Sequence, residues 1–73
     1  VKGVIITSFL GWVESTRGLV TTDAILVDAE PALSTGGAYT AVGNYPATEL
    51  TALVASLAAR EGRTSDEILR EFG

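Results

Sequence analysis

The sequence predicts an all-α chain of about four helices, roughly 2–16, 22–30, 46–61 and 65–72, with one long Gly-rich connector in the middle. Three observations carry that prediction. Apolar residues recur at helical spacing near the N-terminus and again from Leu50 to Leu57. Pro46 and Gly62 bracket the third segment with a helix-starting and a helix-stopping residue. Thr64-Ser65-Asp66-Glu67 reads as a capping box, in which a hydroxyl and a glutamate three residues on satisfy each other's free backbone N–H groups.

In the first helix, Ile5, Phe9, Trp12, Val13 and Thr16 form the stripe, widened by Ile6 and Leu10, and Gly18 supplies the stop. The β-branched run Val4-Ile5-Ile6-Thr7 also suits a strand, but an apolar pattern longer than ten residues favours helix. Thr22 is placed to cap a short second helix, with Asp23 near the positive end of its dipole and Pro31 preventing its continuation. Ile25, Leu26 and Ala29 would face inward.

From Pro31 to Tyr45, Gly, Ser, Thr and Pro accumulate without a stripe, which predicts a loop with a short extended piece at Tyr39 to Val42. Connections this long are usually functional or packed against something else. In the third helix Leu50, Leu53, Val54 and Leu57 share a face, and the alanines at 52, 55, 58 and 59 permit close approach of a neighbour. The fourth helix presents Ile68, Leu69 and Phe72, a face that needs a cover.

Composition narrows the function. Seventy-three residues make one small domain that buries little more than about 60% of its unfolded surface. With 47% hydrophobic and 19% charged residues it is nevertheless too apolar for a disordered tail. The net charge of −4 disfavours nucleic acid and acidic membrane surfaces, which require clustered positive charge. No membrane-spanning run and no convincing signal peptide is present, so the chain reads as cytoplasmic.

The sequence contains no His, Cys or Met. That removes disulfides, ordinary zinc sites, Ser/His/Asp catalysis and the three commonest axial ligands of heme iron. Tyr39 and Tyr45 are the remaining residues able to ligate ferric heme, though isolated loop tyrosines more often serve packing. The carboxylates spread over every element and read as solvated helix faces, and Gly36-Gly37 reads as a turn because it lacks the ending of a phosphate-binding loop. An enzyme is not expected.

Several stretches, in order, carry a family resemblance. Val1-Lys2-Gly3-Val4-Ile5-Ile6, leading into Phe9, Leu10, Trp12 and Val13, is similar to the opening helix of heme-nitric oxide/oxygen-binding (H-NOX, or HNOB) domains. That helix commonly begins Met-Lys-Gly, and Val1 stands where the Met would be. Gly36 to Pro46 resembles the connector of a bacterial branch of the family, Leu50, Leu53, Val54 and Leu57 fit its third helix, and Asp66 to Gly73 looks like the end of its first lobe.

The resemblance implies a single helical lobe, residues 1–73, the distal lobe of an α+β domain that is incomplete without a C-terminal heme-ligating lobe. The family's proximal histidine and its Tyr-x-Ser-x-Arg motif belong to that second lobe and are absent here. The implied cofactor is heme in the complete domain, with no axial ligand from this chain. The implied role is sensing nitric oxide or oxygen and signalling to a kinase or cyclase partner. Ile5 and Phe9, one helical turn apart, match positions that line the distal side of the heme. From the residues alone that face reads as ordinary core and not as a cofactor wall; it is the resemblance that raises the wall reading to stand beside it. The rival reading is a stand-alone helical module that binds another protein or itself through its apolar face.

Overall fold

Gly18 divides the first two helices by itself. The computed structural model describes residues 2–29 and 42–73, and in it Gly18 has φ 88° and ψ 168°, backbone angles that favour glycine. Its N–H donates to the Glu14 carbonyl at 2.9 Å, ending helix α1 (Gly3–Arg17). Its own carbonyl accepts the Thr22 N–H at 3.3 Å and the Thr22 hydroxyl at 3.1 Å, so helix α2 (Leu19–Ala29) begins at once. Thr22 therefore does not cap α2. It lies buried one turn inside, its hydroxyl bonding back to the preceding turn, and Asp23 falls beyond the first turn.

Helix α3 (Ala47–Glu61) starts after Pro46, which sits extended at the N-cap and not inside the first turn. It closes on left-handed Gly62, with the Arg63 N–H donating to the Ala58 carbonyl at 2.9 Å, a Schellman-type end. Helix α4 (Ser65–Phe72) opens with the predicted capping box. Thr64 Oγ1 accepts the Glu67 N–H at 3.2 Å, and Glu67 Oε1 accepts the Thr64 N–H at 3.0 Å. Ser65 and Phe72 are the bounds that the sequence predicts.

The core draws on all four helices: Ile6, Phe9 and Val13 of α1, Ile25 and Ala29 of α2, Leu53, Val54, Leu57 and Ala58 of α3, and Ile68 of α4. Each fully buried Ile, Leu or Phe contributes about 1.5–3 kcal/mol relative to exposure. Extensive packing joins neighbours in chain order, α1 with α2, α2 with α3 and α3 with α4. Phe72 then closes the bundle by reaching the rings of Phe9 and Trp12.

Two further expectations change. The buried stripe of α1 runs through Gly3, Ile6, Phe9 and Val13, leaving Ile5 43% exposed and Thr16 exposed, because α2 and α3 lie toward the Ile6 side. Glu49 is no solvated acid: it is buried, in the first turn of α3, where free N–H groups and the helix dipole favour a carboxylate. Of the predicted connector, residues 31–41 lie outside the described residues. Residues 42–46 are non-helical and include the bridge partner Asn44, which pairs with Lys2, and no strand forms among the described residues.

Candidate functional site: an aromatic wall on the first helix

Helix α1 is anchored at its start. The Gly3 N–H donates to the Gly43 carbonyl at 2.7 Å, and the Ile5 N–H to the Lys2 carbonyl at 3.0 Å, so the first turn is held against the 42–46 segment. Ile5 and Phe9 follow on one side of the helix at different depths. Phe9 is fully buried, whereas Ile5 sits at the rim of the core with 43% of its surface exposed.

Phe9 belongs to a cluster of three rings. Phe9 meets Phe72 edge to face, with centroids 5.3 Å apart and an interplanar angle of 85°. Trp12 lies 5.8 Å from Phe9 and 5.4 Å from Phe72, tilted to both. Edge-to-face and tilted pairs place the positive rim of one ring on the negative face of another, which holds the cluster beyond what area burial alone gives. Leu69, one turn before Phe72, is also 43% exposed. Ile5 and Leu69 thus offer aliphatic surface on two helices that meet through these rings.

An ionic clasp lies at the C-terminal end of α1. Arg17 donates from Nε to Glu61 Oε2 and from Nη2 to Glu61 Oε1 at 3.0 Å, a bidentate pair, and from Nη2 to Glu71 Oε2 at 2.9 Å. Arg63 Nη1 donates to Glu71 Oε1 at 2.6 Å. The Arg17 guanidinium carbon stands 4.7 Å from the centroid of the Trp12 ring, a cation–π contact. The Arg17 hydrogen bonds hold the Glu61 carboxyl below its ordinary range, and those of Arg63 and then Arg17 do the same for Glu71. The sequence reading missed this clasp, since partners 44 and 54 residues away leave no local signal.

The other candidates fall elsewhere. Tyr45 is half-buried against the core, its ring packed over Gly43, where an added Cβ would stand 2.6 Å from its hydroxyl oxygen. Tyr39 lies outside the described residues, as do Gly36 and Gly37. No group of three His, Cys, Asp or Glu side chains is disposed to hold a metal among the described residues. An open groove between α2 and α3 is lined by Ala29, Ala52, Ala55, Ser56 and Ala59 with Asp28 and Arg60 at its edges, and it contains no nucleophile paired with a base. No helix of the described residues is long and apolar enough to cross a membrane.

The comparisons with known proteins agree with this architecture. The Haem-NO-binding (HNOB) family model matches residues 2–73. The Fe(II) unliganded H-NOX protein from K. algicida superimposes with a TM-score of 0.91 at 35% identity, and a point mutant of that protein with 0.90 at 35%. Each alignment covers 99% of this chain and 38% of the K. algicida chain, so the sequence spans well under half the length of these relatives. No curated protein matches. A family match over residues 2–73, joined to the four-helix agreement with H-NOX structures, establishes that this chain belongs to the Haem-NO-binding (H-NOX) family.

Proposed function

We propose that this chain is the distal, helical lobe of a heme-based gas sensor, with Ile5 and Phe9 of α1 forming the nonpolar wall beside the gas-binding side of the iron. The observation that supports the reading most is the superposition over 99% of the chain on H-NOX proteins described as Fe(II) unliganded. The residues present suit one face of a flat apolar group. Ile5 and Leu69 offer half-exposed aliphatic surface on the two helices that carry the aromatic cluster, in which Phe9 is fully buried and Trp12 and Phe72 are partly so.

They do not suit axial ligation. The chain has no imidazole, thiol or thioether, and Tyr45 is packed against the core, so in this reading the ligand to iron would come from a second, C-terminal lobe of the same domain, as the family resemblance implies. Heme, when bound, would supply the iron to which nitric oxide or oxygen adds. In this division of labour Ile5 makes nonpolar contact and excludes water, while Phe9, backed by Phe72 and Trp12, holds α1 at a fixed distance. The lobe acts as a sensor and not as an enzyme. A shift between the two lobes carries the signal to a kinase or cyclase partner in the cytoplasm.

A hemin titration tests the reading. The 73-residue chain alone should show weak, unsaturated adsorption, and the domain that includes the second lobe should give a sharp one-to-one Soret band that responds to nitric oxide. A saturable one-to-one spectrum from this chain alone would contradict the proposal and would make Tyr39 and Tyr45 the first residues to mutate.

A further inference from the structure

We propose that Arg17 is the positioning residue of this wall: by joining Glu61 and Glu71 while lying over Trp12, it locks α4 against α1 and so sets where the Phe9 ring and the Ile5 face come to rest. The proposal rests on the reading of Ile5 and Phe9 as the distal wall. Helix α4 packs extensively on α3, shares the buried core with α1 through Ile68, and also reaches α1 through the Phe72 ring and through Glu71, which Arg17 holds. Glu71 directly precedes Phe72. Fixing the Glu71 carboxylate therefore fixes the turn of α4 from which Phe72 meets Phe9 edge to face.

The geometry favours a fork over a point charge. Arg17 holds two carboxylates, one on α3 and one on α4, and lies against an indole, contacts that the single ammonium of a lysine cannot reproduce together. The Arg17 side chain is only 12% exposed, held between the indole and two carboxylates that themselves remain partly exposed. Arg63 grips Glu71 from its other oxygen, so Glu71 is already oriented when Arg17 meets it. The clasp is thus a rigid strut between three helix ends, and the aromatic cluster is the part it braces.

The test compares Arg17→Gln, Arg17→Lys and Ile25→Val, the last trimming the core on α2 away from α4. In the isolated chain, near-ultraviolet circular dichroism reads the packing of Trp12. In the heme-loaded complete domain, carbon monoxide dissociation reads the wall. Arg17→Gln should lose most of the Trp12 dichroic band and change the dissociation rate by about twofold or more, the scale of coupling carried by residues that touch no ligand. Arg17→Lys should resemble Arg17→Gln, and Ile25→Val should lower the melting temperature with the dichroic band and rate unchanged. If Arg17→Gln does not fold, Arg17→Lys carries the comparison. Wild-type dissociation rates in the Arg17 variants, with Ile5→Ala altering the rate, would overturn the positioning role and leave the wall standing. An unaltered rate in both Ile5→Ala and Phe9→Ala would instead remove the wall on which the proposal rests.

Discussion

At the scale of single residues, Ile5 and Phe9 differ in depth, and the difference separates two kinds of consequence. Phe9 is wholly buried among Trp12, Phe72 and the aliphatic core, so Phe9→Ala should cost about 3–5 kcal/mol of unfolding free energy. Ile5 leaves 43% of its surface exposed, and Ile5→Ala in the isolated chain should cost about 1 kcal/mol or less. Chemical denaturation of the two variants checks the contrast. Equal losses would mean that Ile5 is as deeply packed as the apolar periodicity of α1 suggests. The sequence makes Ile5 and Ile6 alike, since both lie on a broad apolar arc. Which of the two is buried depends on where α2 and α3 sit, and that is tertiary information.

At the scale of elements, local signals were legible wherever the relevant bonds are local. The capping box at Thr64 and Glu67 and the glycine stop at Gly62 predicted the start of α4 and the end of α3, because their partners are close in sequence. Thr64→Ala should cost about 1 kcal/mol and fray α4, which amide exchange across Ser65 to Phe72 would report. The start of α2 was misread for a related reason. Thr22 has the chemistry of a cap, but Gly18 redirects the chain so abruptly that the helix is already under way at Leu19. The Arg17 clasp, built across three helix ends, had no signature at all.

That clasp also gives the elements a pH dependence. Glu61 and Glu71 are held below the ordinary carboxylate value of 4.5 by their arginine partners, and Glu67 by its bonds to Thr64. Folding therefore favours their ionised forms. Their contribution is fully present above the unfolded value and is lost as pH falls through the lowered folded values, so thermal stability should decline below about pH 5. Glu61→Gln should flatten that decline in melts recorded from about pH 6 to about pH 3. A stability that holds constant over that range would mean that the clasp contributes nothing to folding.

At the scale of the whole molecule, the family was legible from the order of short motifs, and the four-helix fold followed from periodicity and caps. The cofactor wall was legible only as a resemblance, because an aliphatic and an aromatic residue one turn apart look the same in any core. Apolar surface remains outside: Leu19, Val20 and Val27 of α2 are 59%, 80% and 67% exposed, in addition to Ile5 and Leu69. A 73-residue lobe with this much apolar exposure should associate with itself at high concentration, and its melting temperature should rise with concentration. Sedimentation over a concentration series checks this, and a concentration-independent monomer would show the fold to be self-sufficient.

The central claim, that the α1 rim faces the gas-binding side of a heme, meets its most direct test in the complete domain with Ile5→Ala. The measurement is the carbon monoxide or nitric oxide dissociation rate, taken beside the Soret spectrum that reports histidine ligation. A changed rate with ligation intact is the predicted result. A wild-type rate and spectrum in Ile5→Ala would contradict the claim and return Ile5 to the ordinary edge of a helical core.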